Sequence, residues 1–287
     1  MTRPRTGGLW RVAVAPILLA LALLGGSAQA ASKKQSELAQ QLVNGLYTPK
    51  GALPIQDLVI EVDDYVSEDS GPSNLACEAN SKLFFKFPNR LRVDQLHRTP
   101  QSPLDGKMTV IIRDGENLWI YMEGQLPSKS GSDSQVPTLA LPFNVQHYRR
   151  DQEREYYYLG QEKLQGRMVH RVQVTNPSQP DWTAVLWIDA ERHIPLQLET
   201  SGHARHHEEH MISKRVVYGD IRRLPDGRYF PFQLQIFEND VLQEVKLYKG
   251  VRVNVGLDDT LFAPQSEYTH SGGKQIEVPP PPEPLRP

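Results

Sequence analysis

The stretch TVIIRDGENLWIYM, residues 109–122, decides how the chain is read. Two apolar runs flank Asp114-Gly115, a residue pair that suits a tight two-residue hairpin turn. With Arg113 set opposite Glu116, period-two alternation places Val110 and Ile112 on one face with Trp119 and Tyr121. Ile111, Leu118 and Ile120 go to the other. Both faces are apolar, whereas an antiparallel hairpin ordinarily turns one face to water. The fold must therefore cover two faces, and what covers the second is the functional question.

Outward from the hairpin the same rhythm continues. Alternating runs occupy residues 57–66, 81–87, 90–96, 154–174, 183–189, 194–200, 214–224, 228–237 and 241–253, separated by turn chemistry such as Asp226-Gly227 and Glu238-Asn239-Asp240. Together they predict a long antiparallel meander of roughly ten strands. Before it, KKQSELAQQLVNGLY (33–47) sets Leu38, Leu42, Val43 and Leu46 on one helical stripe. The polar, Gly/Ser-rich GQLPSKSGSDSQ reads as a mobile loop leading to a short apolar insert, helical near Thr138 to Leu141. The end, 269–287, reads as a disordered Pro-rich tail. The fold class is mainly β with helices (α+β): a strongly twisted sheet of this size curls, and its helices plug only part of the concave side. Either helices and loops fill that side completely, or a leftover aromatic face lines a hollow.

The N-terminus sets the compartment. MTRPRTGGLWR is basic, an apolar run follows from Val12 to Leu24, and Ala28-Gln29-Ala30 closes it, the pattern of a cleaved secretory signal over 1–30. The expectation is an exported, soluble protein with residues 31–268 as its domain. Cys77 is the one cysteine, so no intramolecular disulfide can form and stability must come from a core. Losing Arg3, Arg5 and Arg11 lowers the formal net charge from −2 by three, with the charges interspersed. That is no nucleic-acid footprint.

Catalytic signatures are missing. No Gly-x-Ser-x-Gly elbow, phosphate loop or Cys-x-x-Cys pair occurs after the signal. GHARHHEEHM (202–211) gathers His203, His206, His207 and His210, residue types that ligate zinc, copper or nickel. The zinc-protease spacing is absent, however, and the group falls where a solvent-exposed hairpin tip is expected. Asp63-Asp64 and Asp258-Asp259 are adjacent pairs whose members point to opposite faces of a strand, so neither forms an acid/base couple. A binding protein without a cofactor is the expectation, not an enzyme.

SKLFFKFPNRLRVDQL followed by TVIIRDGENLWIYM resembles the periplasmic outer-membrane lipoprotein carriers of the LolA type, through Lys86, Pro88, Asn89, Asp114, Gly115, Leu118, Trp119 and Tyr121. LWIDAERHIPLQLE, VVYGDIRRLPDGRYFPFQLQIF and VRVNVGLDDTLFAP are similar to larger LolA-like sorting proteins, so the resemblance spans about residues 35–265. It implies an unclosed β-barrel (half-barrel) covered by helices, with an apolar cavity for acyl chains of lipids or lipoproteins, in the periplasm. By position, Leu91 and Val93 match the apolar pair lining the carriers' cavity, and Phe85, Phe87, Val110, Ile112, Trp119 and Tyr121 extend it. Phe87 stands where the carriers have a functionally sensitive Arg, and His193 where relatives have Gly in a turn; His tolerates a left-handed backbone better than most residues. Further expectations are an inner- or outer-membrane partner protein, an alternative role as an RseB-like sensor of lipoprotein or anti-sigma factor, and a less favoured one as a metal binder through the histidine loop.

Overall fold

The computed structural model describes residues 33–48, 51–67, 75–100, 102–115, 117–123, 125, 127–130, 154–204 and 207–264. Residues 33–44 form helix α1. The strands are β1 (Asp57–Ser67), β2 (Leu75–Lys86), β3 (Arg90–His97), β4 (Met108–Arg113), β5 (Leu118–Met122), β6 (Ser128–Ser130), β7 (Glu155–Leu164), β8 (Arg167–Asn176), β9 (Gln179–Asp189), β10 (Pro195–Ala204), β11 (His207–Arg223), β12 (Tyr229–Glu238) and β13 (Val241–Val253). All belong to one antiparallel sheet with the order β6-β5-β4-β3-β2-β1-β13-β12-β11-β10-β9-β8-β7. Two meanders, β1–β6 and β7–β13, thus run outward from a single seam where β1 pairs β13. β6 and β7 are the two ends of the sheet, so it is not closed. The fold class read from the sequence is the fold observed.

The strand count is higher than expected for local reasons. Residues 154–174 contain two strands, β7 and β8, folded about Gln165 and Gly166, both at positive φ. Ser128–Ser130 pairs with β5 although it lies in the polar stretch read as a mobile loop; it has no apolar alternation, and its strand character comes from its neighbour. The insert near Thr138 to Leu141, the signal segment and the Pro-rich tail lie outside the described residues.

The opening hairpin keeps its predicted faces but not its predicted register. Arg113 pairs Leu118, Ile112 pairs Trp119 and Val110 pairs Tyr121, leaving a four-residue connection in place of a two-residue turn. The slip is even, which preserves every side chain's face. Asp114 enforces it: its carboxylate accepts from the Asn117 N–H at 2.8 Å and from Trp119 Nε1 at 3.1 Å. Asn89 donates to the Gly115 carbonyl at 2.8 Å, and Gly115 has φ +115°, a conformation that favours glycine.

Helix α1 lies on the concave face. Ala39, Val43, Leu46 and Tyr47 enter the main hydrophobic cluster with Leu58, Ile60, Leu83, Leu186 and Phe230. This stripe is rotated from the expected one, because Leu38 remains 38 % exposed. The end of the helix is tied down by polar contacts: the Tyr47 N–H donates to the His193 carbonyl at 2.8 Å, and the buried Arg228 guanidinium donates to the Tyr47 carbonyl at 3.0 Å and to the Leu53 carbonyl. His193 has φ +54°, as its place in a glycine-type turn predicts.

The convex side of β1 and β2 is covered by the segment that follows β13. Val59 and Phe84 pack against Leu257 and Phe262. The Asp57 carboxylate accepts from the N–H groups of Val255, Gly256 and Leu257 at 2.6, 2.9 and 3.2 Å. Asp258 caps the 3₁₀ turn Asp259–Phe262, and Asp259 binds Lys86 and Arg90. Both acidic residues of that pair are therefore structural.

The seam carries a buried charge cluster. Asp64 and Lys246 are direct cross-strand partners, 4 % and 5 % exposed. Lys246 Nζ lies 2.9 Å from Asp64 Oδ1 and 2.9 Å from Glu244 Oε1, and Ser81 donates to Asp64 at 3.4 Å. Desolvation alone would depress the Lys246 pKa; the charges and hydrogen bonds of Asp64 and Glu244 outweigh it, and the net shift is upward. A group raised in this way stabilises the fold fully below the ordinary lysine pKa of about 10.4 and loses that contribution as pH climbs through its folded value. Asp64→Asn should cost about 3–5 kcal/mol in urea unfolding at neutral pH, since it removes one partner of a buried pair. The paired Asp64→Leu/Lys246→Met change should cost much less.

Candidate functional site

Cross-strand partners share a face of the sheet, so the pairing registers define the concave wall row by row. One row runs Leu58, Phe85, Leu91, Arg113, Leu118, and the next Ile60, Leu83, Val93, Ile111, Ile120. On the other side of the seam Val253 and Val251 continue them. Leu91 and Val93 are each 1 % exposed, and Phe87 meets Phe85 edge-to-face with ring centroids 4.6 Å apart. Leu91, Val93, Phe85 and Phe87 are thus brought together on the side that α1 covers.

The other four residues expected at this wall are not there. Because Leu91 pairs Arg113 and Val93 pairs Ile111, the odd-numbered positions of β4 face inward and the even-numbered ones outward. Val110, Ile112 and Tyr121 form a separate cluster on the convex face, 5 %, 1 % and 1 % exposed, with Trp119 packed against it. Lys129 Nζ sits 5.2 Å above the Trp119 ring. The second face of the hairpin is therefore covered by the chain itself. The hairpin's own sequence defines two faces but not which one is inside; that depends on its pairing with β3.

The wall is also less uniform than apolar patterning suggests. Beyond Ile60 the inward row is Val62, Ser81, Gln95 and Thr109, and beyond that lies Asp64 with Lys246. His97 Nε2 lies 2.8 Å from the Thr109 hydroxyl. Polar side chains so occupy one end of the concave face and aliphatic ones the other. A signal for this was present in the alternation of β1, where Asp64 falls in phase with Leu58, Ile60 and Val62.

Access is found beside the helix. A cleft of about 510 Å³ separates α1 from β7, lined by Lys34, Gln35, Glu37, Leu38 and Gln41 on the helix and Tyr158 on the strand. That volume lies within the range of small-molecule sites, about 300–1,000 Å³. Tyr158 and Tyr156 are half-buried against the main cluster, whereas Tyr157 and Leu159 on the same strand are 45 % and 43 % exposed. The Tyr158 hydroxyl lies 3.0 Å from His170 Nδ1, and the His170 pKa is lowered by burial and then by the charge of His193. No sequence pattern marked this cleft, because it is made by the rotation of α1 against a strand more than 100 residues away.

The remaining candidates are placed as follows. His203 pairs Met211 and Ala204 pairs His207 in the backbone register of the β10–β11 hairpin; His206 lies outside the described residues. His210 is on β11. Among the described residues, no group of three or more His, Cys, Asp or Glu side chains is arranged to hold a metal ion. The Cys77 pKa is raised by burial, against the thiolate that nucleophilic chemistry needs. Asp63 faces away from Asp64, toward Asn80 at 2.9 Å and Lys249 at 3.0 Å.

An unclosed antiparallel sheet wraps over a helix and presents it an apolar concave wall, and solved structures share this fold. The chain superposes on a putative outer membrane lipoprotein-sorting protein domain from Vibrio parahaemolyticus with a TM-score of 0.56 at 13 % identity, over 80 % of this chain and 96 % of that one. A DUF1329 family protein from Desulfovibrio piger gives 0.58 at 13 %, over 80 % and 97 %. A LolA superfamily protein from Nitrosomonas europaea gives 0.52 at 14 %, over 79 % and 97 %. No protein family and no curated protein matches the sequence itself. The likeness is therefore one of fold, a LolA-like fold over nearly the whole of each relative.

The helix orientation can be checked directly. Leu46→Ala, at a side chain 2 % exposed, should lower stability by about 2–5 kcal/mol. Leu38→Gln, at the cleft, should stay within about 0.5 kcal/mol of the parent in the same thermal and urea melts.

Proposed function

We propose that this chain is a periplasmic binding protein that takes acyl chains of lipids or lipoproteins into the space between α1 and the concave wall, acting as a carrier or chaperone. The observation that carries the reading is the cleft: it puts Leu38 and Tyr158 within reach of solvent at the unpaired end of an otherwise buried apolar wall. Binding of this kind needs only burial, at about 0.8 kcal/mol per CH₂, and no reacting group. Leu91 and Val93 are already covered by the chain's own side chains, so hydrocarbon entering beside α1 exchanges one apolar contact for another. The net gain is small compared with the gross burial. Such an exchange suits cargo that has to be handed on.

Export directed by the N-terminal signal segment is part of the same proposal. Among the described residues no helix is long and apolar enough to cross a membrane. It also leaves a membrane-bound donor or acceptor to be found.

Protein purified from its native envelope should carry long-chain acyl groups detectable by mass spectrometry after gentle desalting. Leu38→Glu, which puts a charge at the cleft without touching the core, should reduce the bound acyl several-fold while leaving the melting curve in place. A parent protein free of lipid, and unable to take up a fluorescent apolar probe, would overturn the proposal.

A further inference from the structure

The cleft beside α1 carries charge as well as apolar surface, and the charges bear on which amphiphile it takes, an inference that rests on the acyl-binding reading. Lys34, Gln35, Glu37, Leu38 and Gln41 line it from one stretch of α1, and all of them are exposed. Side chains three or four positions apart are neighbours on a helix surface, with Cβ atoms about 5–6 Å apart. Lys34 therefore stands one turn before Leu38, with Glu37 beside it, and Gln41 adjoins both Glu37 and Leu38. Among the described residues neither Lys34 nor Glu37 has an ion-pair partner, and they do not pair with each other. From the strand side comes Tyr158, a half-buried neutral wall whose hydroxyl is engaged at 3.0 Å with His170 Nδ1.

We propose that the cleft binds a zwitterionic phospholipid of the phosphoethanolamine type, with an acyl chain against Leu38 and Tyr158, the phosphate at Lys34 and the ammonium at Glu37. A lysine ammonium donates to phosphate oxygens, and a carboxylate accepts from a primary ammonium. The amides of Gln35 and Gln41 each offer donors and an acceptor, which suits the ester and glycerol oxygens between headgroup and chain. The match is one of charge: the lining carries one positive and one negative side chain, and so does the headgroup. An anionic phospholipid satisfies Lys34 but leaves the Glu37 carboxylate facing a like charge. A diacylglycerol leaves both side chains unmatched.

Both charged side chains are exposed, so water and salt screen what they contribute. Burial of hydrocarbon supplies the affinity, and the headgroup supplies the selection. The preference between phospholipids with identical chains is therefore several-fold, and it fades in about 1 M salt, where the screening length falls to about 3 Å. Ala39, Val43 and Leu46 hold α1 to the sheet from its buried side, so either charge can be replaced without disturbing the core.

Lipid selection from mixed vesicles tests this. The protein is incubated with vesicles of isotope-labelled phosphatidylethanolamine and phosphatidylglycerol in equal amounts, with a small share of labelled diacylglycerol and the same acyl chains throughout. The vesicles are sedimented, and the labelled lipid left on the protein is measured by mass spectrometry. Phosphatidylethanolamine should be enriched several-fold over phosphatidylglycerol at low salt. Glu37→Gln should abolish that enrichment without lowering the total lipid bound, and Lys34→Gln should lower both phospholipids several-fold relative to diacylglycerol. The melting curves of both variants should match the parent's. Equal uptake of the two phospholipids, or an enrichment that survives Glu37→Gln, would overturn the headgroup assignment and leave the acyl-binding reading standing. No labelled lipid of any kind on the protein would remove both.

Discussion

Everything in this structure hangs on the pairing of β1 with β13. Each meander is built from hairpins, and local turns can form those one after another. The seam joins the first and last strands in chain order among the described residues, from Leu58 opposite Val253 to Val66 opposite Glu244. It turns two separate sheets into one concave surface large enough to wrap a helix. The price of that closure is a long loop entropy, which the apolar partners Ile60 and Val251 help to offset. Asp64 and Lys246 sit in the same ladder for a different reason. A buried ion pair adds little to stability compared with an apolar pair, yet a slip of one residue would turn one of the two charges to the opposite face and leave the other buried without its partner. We read it as a lock on register.

The same concave surface explains why the site is divided. Aliphatic rows occupy one end and the Ser81, Thr109, Asp64 and Lys246 rows the other, so a bound amphiphile would meet both environments along one wall. Helix α1 covers the wall without sealing it. Its Leu38 and polar neighbours stop short of Tyr158, and that gap coincides with β7, which pairs on one side only within the sheet order. Among the described residues, access therefore arises at the end of the sheet.

Much of this was written in the sequence and some of it could not have been. Period-two alternation gives most strands and both hairpin faces, because side-chain direction within a strand is a local property. The left-handed turn at His193 was expected through the resemblance, in which relatives carry Gly at that place. The choice of inner face was not: Val110 and Ile111 are both apolar, and only the long-range register with Val93 decides between them. Asp64 and Lys246 are 182 residues apart, and nothing local to either announces the other. The helix was legible as a helix, but its rotation depends on what it packs against, and so Leu38 rather than Ala39 was expected inside. The motif residues Lys86, Asn89, Asp114 and Gly115 prove to be scaffolding: Lys86 holds the Leu257 carbonyl at 2.7 Å, and Asn89 and Asp114 shape the β4–β5 turn.

The clamp formed by residues 255–262 has a consequence for unfinished chains. Until that segment is made, Val59 and Phe84 have no cover on the convex side, and the Asp57 carboxylate lacks the three amides that receive it. A product ending a few residues early would possess every strand of the sheet and still display a sticky patch next to an orphaned anion. Exposed apolar patches of this kind favour association, so the segment that follows β13 completes the surface of the sheet.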